Sequence, residues 1–285
     1  MKTLIARVAL AASMLCSAGS ALAAEGGAAM DEWPADRAQN PAALQNGARV
    51  FASYCIGCHS ASLVRWNRLQ EIGLTDAQIQ QYLIFGEQKV GDTMRNAAAA
   101  PDQKRWFGKT PPDLSVITRA RTSSDHAGTD YIYSLLRGYY RDASSPTGWN
   151  NVVYPGIAMP HIFWQEQGPR EVRIEFTDTR KDAKTGAVQY VHVVTVYEPN
   201  GALSRTETPV AIHGAEGISH SFKPTNPDQA RRFDADAADL VAFLAFITDP
   251  TAGKRVQIGV WVLIFLAFFT LIAWRLNAVY WKDVK

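Results

Sequence analysis

Hydrophobic positions are spread unevenly along this chain, and the unevenness divides it. Residues 256–274, VQIGVWVLIFLAFFTLIAW, run without a charge. Nineteen residues coiled as an α-helix reach about 28 Å, close to the roughly 30 Å of a bilayer's hydrocarbon. Trp261, Trp274, Tyr280 and Trp281 stand where interfacial anchors would, and Lys254 and Arg255 flank one end. The other terminus carries a shorter apolar run. Lys2 and Arg7 precede it and Ala21-Leu22-Ala23 follows, the form of a cleaved secretory signal. Between the two, Asn40-Pro41 supplies an N-cap and an N1 proline, and AALQNGARVFASYCIGCHSASLVRW then reads as helical. Asn226-Pro227 opens a second helix, DQARRFDADAADLVAFLAFITD, which ends at Asp249-Pro250. Its apolar half, Leu240 to Ile247, is expected to pack on the first helix. VRIEFTD (172–178) and VQYVHVVTVYEP (188–199) read as strands, with turns at Thr185-Gly186 and Asn200-Gly201. A small antiparallel β meander inserted over 166–225 is therefore expected, either as a surface elaboration or as a contact with another subunit.

These ends set an organisation for the 285 residues. A signal peptide covers 1–24, an exported domain 25–253, a transmembrane anchor 254–275 and a short cytoplasmic tail 276–285. The signal, more than the basic residues beside the span, sets the orientation. Composition is that of a globular protein, 47% hydrophobic and 20% charged. Charge changes the picture once the ends are set aside. Without Lys2 and Arg7, and without the five basic and one acidic residue from 254 onward, 22 basic residues face 26 acidic ones. An exported domain about four units negative suits a basic partner and argues against nucleic acid.

Cys16 falls within the signal segment, so the exported part keeps only Cys55 and Cys58, in YCIGCHS, with His59 next to them. A disulfide between them would close a very short loop and leave His59 unexplained. A zinc site lacks a second Cys/His pair at the required spacing. Covalent haem attachment uses all three: two thioethers to the porphyrin and the adjacent histidine as proximal iron ligand. Export of the chain agrees with that chemistry.

The iron's other face needs a ligand or stays open. His192 lies in a strand-like run, His213 and His220 in loops, and His126 in the polar stretch TSSDHAGTD, so each reads as a packed or surface residue. Met14 belongs to the signal, Met30 to an N-terminal tail and Met94 to a polar loop. Met159 and His161 remain, two positions apart in GIAMPHIFW (156–164).

Three further motifs, TPPDLSVITRAR (110–121), DYIYSLLRGYY (130–140) and YPGIAMP (154–160), precede a C-terminal helix and one span. In this order and spacing, over residues 40–165 and 228–285, the chain resembles cytochrome c1, the c-haem subunit of the cytochrome bc1 complex (respiratory complex III). The resemblance implies a mainly α, class I-like cytochrome c domain with one covalently attached haem c per chain. It implies Cys55 and Cys58 as attachment points, His59 as fifth ligand and Met159 as sixth. Pro111 and Pro112 would line the haem crevice, Arg121 would bind a haem propionate, and Tyr131 would stand near the haem. Ligand softness favours Met159 as well, because a neutral thioether stabilises ferrous iron and raises the potential. Pro160 restricts Met159 to an extended backbone, which suits a rigid loop. Residues 166–225 have no counterpart in the shorter members of that family.

The resemblance further implies an electron carrier within ubiquinol–cytochrome c reductase, in the bacterial inner membrane with its haem domain in the periplasm. Electrons would arrive from the Rieske iron–sulfur protein and leave to a soluble periplasmic cytochrome c. Cytochrome b would lie beside the span, in an assembly expected to be dimeric. The side chains would make and break no bonds. The rivals are a stand-alone membrane-anchored cytochrome c donating to a terminal oxidase or reductase, a haem enzyme with an open sixth position, and a disulfide-bearing binding module.

Overall fold

The computed structural model describes residues 28–181, 187–211 and 217–282. The expected signal peptide, with Met14 and Cys16, the turn at Thr185-Gly186 and His213 lie outside the described residues. In chain order the helices are α1 (Pro41–Val50), α2 (Asp76–Tyr82), α3 (Ala100–Phe107), α4 (Ile117–Ala120), α5 (Gly128–Arg137), α6 (Trp164–Gln167), α7 (Pro227–Thr248) and α8 (Ala252–Tyr280). The strands are β1 (Ala61–Arg65), β2 (Thr93–Met94), β3 (Tyr139–Arg141), β4 (Trp149–Asn151), β5 (Arg170–Lys181), β6 (Val188–Tyr197), β7 (Leu203–Val210) and β8 (Ser219–Pro224). The chain forms two compact units. The larger holds Met30–Arg173, Thr195–Ser204 and the residues from Ser221 onward; the smaller holds the described parts of 174–194 and 205–220 with Ala28 and Ala29.

The core of the larger unit is the pair α1 and α7. Both start as expected: the Asn40 side chain accepts from the amides of Ala42 and Ala43, and Asn226 accepts from those of Asp228 and Gln229. Leu240, Val241, Phe243, Leu244 and Ile247 of α7 are buried. Phe51 and Phe243 meet at 5.4 Å with neither exposed, and burying each ring stabilises by about 1.5–3 kcal/mol. The helices touch through Gly47, where a Cβ would lie 2.0 Å from the Asp239 carbonyl oxygen. Only glycine permits that approach. Around it Asn46 donates to Asp236 (2.7 Å) and Asp239 (2.8 Å), Arg37 pairs with Asp239, and the Trp33 indole donates to the Ala238 carbonyl at 3.0 Å.

The first helix is shorter than the sequence suggests. It widens into a π turn over Phe51–Cys55 and stops; Ala61–Arg65 is strand β1, paired antiparallel with β2. The chain must turn sharply after Cys55 to bring His59 round, and Ala61 (fully buried) then pairs with Met94. Met94 is accordingly a core residue rather than part of a polar loop.

The strands expected over 172–178 and 188–199 are β5 and β6, and Gly201 takes the turn with φ +87°. Two more strands were not legible: β7 and β8 complete a four-stranded sheet in the order β7-β6-β5-β8. Their polar, Ser/Thr-rich sequences lack the strict alternation of β6, where Val191, Val193 and Thr195 are buried in turn. His220 therefore sits on β8, not in a loop. His192 of β6 stands 3.3 Å from Glu175.

Among the described residues one helix, α8, is long and apolar enough to cross a membrane, and every residue in its hydrophobic stretch is exposed or half-exposed. Three residues separate it from α7. There Asp249 takes Arg119 at 3.1 Å from the α4 side and Arg255 from the first turn of α8.

Candidate haem site

Cys55 ends the π turn, and the next four residues fold back on it: the amides of Cys58 and His59 both donate to the Cys55 carbonyl, at 3.1 and 2.8 Å. The two thiols are not bonded to one another. Burial, with a smaller contribution from Cys58, pushes the Cys55 thiol up to about 12, so it is no reactive thiolate. The Cys58 carbonyl is pinned by two side-chain amides, Asn96 at 2.8 Å and Gln103 at 2.9 Å.

His59 has its Nδ1 2.7 Å from the Pro112 carbonyl oxygen. A neutral imidazole donating there leaves Nε2 with its lone pair for a metal, the arrangement a proximal ligand requires. Burial holds its pKa below the ordinary value, partly countered by the Pro112 bond and Asp113. Pro111 is half-buried and Pro112 exposed. Their loop is stitched to the haem motif, with the Leu114 amide on the Ser60 carbonyl (2.7 Å) and the Ser62 amide on Asp113 (2.9 Å).

Arg121 and Tyr131 stand together. The guanidinium lies over the tyrosine ring at 5.5 Å, and His126 stacks on the same ring at 5.5 Å. His126, in the polar stretch just before α5, is packed against Tyr131 at the start of that helix.

Met159 is half-buried, and its carbonyl accepts the Tyr139 hydroxyl at 3.0 Å. His161 is fully enclosed. It stacks on Tyr139 (4.6 Å, 8° between planes), meets Trp149 edge-on at 4.7 Å and has Nε2 2.6 Å from the Gln167 amide. With the amide turned so that its oxygen takes Arg170, Gln167 donates to Nε2. Burial pushes His161 down to about 3, so the ring is neutral. Nε2 is thus committed to Gln167, while Nδ1 is buried with no hydrogen-bond partner among the described residues.

Polar residues that the sequence did not mark hold this loop. Asn151, on β4, accepts from the amides of Val153 (2.9 Å) and Tyr154 (3.2 Å) and donates to the Leu135 carbonyl (2.8 Å). Asn150 accepts from the Gly156 amide at 2.8 Å and donates to Asp142 at 2.9 Å. Burial raises the Asp142 carboxyl, yet hydrogen bonds from Ser144 and Asn150 outweigh it and hold it below the usual carboxylate range. Two asparagines in succession are the one local signal of this role, since they pair readily with loop amides.

The two sides of the site meet through Tyr54, which precedes Cys55. Its ring packs on Phe163 at 4.9 Å and its hydroxyl donates to Glu166, residues four and seven places beyond Met159. Two thiols on one turn, an imidazole with Nδ1 engaged, and a thioether loop buttressed against the same helix make a donor set that fits a covalent haem. It does not fit zinc: among the described residues no three His, Cys, Asp or Glu side chains gather.

Comparison with known proteins agrees. The model of the cytochrome C1 family matches residues 36–197. A cytochrome c1 of Allochromatium vinosum is 32% identical over 96% of this chain and 97% of its own. An ammonia monooxygenase gamma subunit of Nitrosomonas europaea is 32% identical over 90% of this chain and 88% of its own. A mitochondrial protein of Schizosaccharomyces pombe named cytochrome c1, heme protein, is 29% identical over 56% of this chain and 59% of its own.

Proposed function

Because the chain belongs to the cytochrome c1 family, with haem c as its cofactor, we propose that it is the haem electron carrier of a bacterial cytochrome bc1 complex. In that role it takes electrons from the Rieske iron–sulfur protein and passes them to a soluble periplasmic cytochrome c. Haem c, when bound, supplies a one-electron oxidation and reduction. Everything else falls to the chain. Cys55 and Cys58 carry the thioethers, and His59, fixed through Nδ1 on Pro112, gives Nε2 to the iron. Met159 would be the second protein ligand, and its thioether would raise the potential toward what an acceptor from a high-potential iron–sulfur centre needs. Arg121, with Tyr131 beside it, offsets a propionate's charge. Pro111 and Pro112 wall the crevice.

The observation that carries this reading is the His59 imidazole, tethered at one nitrogen beside two unpaired cysteines on one turn. We further propose that the domain is class I-like, lies in the periplasm after removal of residues 1–24, and is held by α8 in the inner membrane beside cytochrome b, in a dimeric complex. The negative balance of the exported part suits a basic acceptor.

Purifying the detergent-solubilised membrane complex tests the reading. A haem-stained denaturing gel should show the chain as a stained band, and mass spectrometry should find a cytochrome b and a Rieske protein with it. The stained chain recovered without those two would instead support a stand-alone carrier feeding an oxidase or reductase. Recovery with oxygenase subunits would place it with the Nitrosomonas relative's name. An unstained chain would overturn the haem role itself.

A further inference from the structure

Met159 is followed by Pro160, which has no N–H, and it lies in a loop rather than a helix or strand. Its orientation needs an outside constraint, and one side chain provides it. The Tyr139 hydroxyl donates to the Met159 carbonyl at 3.0 Å, which fixes the plane of the 159–160 peptide and with it the direction in which the Met159 side chain leaves the backbone. Tyr139 is itself held on two sides. Its ring lies flat on His161, at 4.6 Å and 8°. Its carbonyl takes the Arg170 guanidinium, whose Nε approaches at 3.1 Å. His161 is in turn held by Gln167 at 2.6 Å. The two rings thus grip the Met-Pro-His segment, Tyr139 by the carbonyl before the proline and His161 from just after it.

We propose that Tyr139 is a positioning residue that keeps Met159 on the iron, with the His161 ring as its backstop. The proposal rests on Met159 being the sixth ligand. It assigns His161 a role in holding the ligand loop rather than in coordination. When Met159 leaves, an outside ligand can enter, so the apparent affinity of the ferric protein for imidazole scales with the fraction of molecules in the open state. A hydrogen bond of ordinary strength lost from the closed state raises that fraction about five- to tenfold.

The test is an imidazole titration of the ferric holo-complex carrying Tyr139→Phe, followed by the methionine-to-iron charge-transfer band. The variant should bind imidazole about five- to tenfold more tightly and lose the band at correspondingly lower concentration. Tyr140→Phe is the control. That tyrosine is buried next door and bonds to Tyr197, so its hydroxyl loss should leave imidazole affinity within about twofold of the parent. Equal increases in both variants would mean general loosening and would overturn the proposal, as would an unchanged Tyr139→Phe. If Tyr139→Phe yields no holo-protein, His161→Ala against His161→Phe replaces it, with tighter imidazole binding expected only for the alanine. Met159→Leu separates the two layers. A band that survives that change removes the ligand assignment, whereas a band lost there with Tyr139→Phe unaffected removes only the clamp.

Discussion

The two walls of the proposed haem site are built by different means. The Cys55–His59 wall grows out of a helix whose partner, α7, meets it at a glycine with no room for a Cβ. Its rigidity is that of a packed core, and its motif is contiguous in sequence. The Met159 wall is a loop whose amides and carbonyls take side chains at 139, 150 and 151, with Gln167 holding the His161 ring beside it. A packed helix pair stands behind the first, with hydrogen bonds only at its tip; side-chain hydrogen bonds along the backbone set most of the second. Proposed as the two protein ligands of the iron, His59 and Met159 should therefore fail in different ways.

The largest effect belongs to the packed wall. Gly47→Val puts a side chain where a Cβ already falls 2.0 Å from a backbone oxygen, which should cost at least about 3 kcal/mol. Little haem-stained chain should accumulate in membranes. Normal accumulation would mean that α1 and α7 part easily and that the contrast between the walls is unreal. Next comes Met159→Leu, which leaves attachment and folding intact while lowering the midpoint potential by on the order of a hundred millivolts; redox titration reads it. Asn151→Ala is smaller. It strands the Val153 and Tyr154 amides and the Leu135 carbonyl, for about 2–3 kcal/mol. Because the two amides belong to the loop, the charge-transfer band should weaken on mild heating before helical circular dichroism changes. Simultaneous loss of the two signals would show one cooperative unit instead of two.

The smallest effect is pH-dependent. Hydrogen bonds hold the folded Asp142 carboxyl below its unfolded value. Its contribution is complete above the unfolded pKa, near 4, and is lost as pH falls through the lower folded one. Asp142→Asn should flatten that acid limb by lowering the thermal midpoint at neutral pH by no more than a few degrees, with the acid end of the profile nearly unchanged.

The same contrast explains what could be read in advance. CxxCH, the two Asn-Pro helix starts and the charge-free span are local signals, and each marks its element in the structure. Helix α1 came out short because hydrophobic periodicity runs on through Ala61–Arg65, while the turn that brings His59 round is dictated by contacts with Pro112 and Cys55. β7 and β8 escaped because polar residues can join a sheet without an alternating pattern. Arg121 and Tyr131 were named only through family likeness. Their adjacency depends on the turn between α4 and α5, which nothing in their spacing shows. Tyr139, Gln167 and Arg170 gave no signal at all, since their importance lies in which carbonyl or ring each happens to reach.

Three residues join the last core helix to the membrane helix, and Asp249 ties that junction to arginines on both sides. Fully extended, they span only about 10 Å. In the proposed role the haem cannot travel to its partners. It stays at one height above the bilayer, so electron flow on both sides depends on donor and acceptor each coming to it.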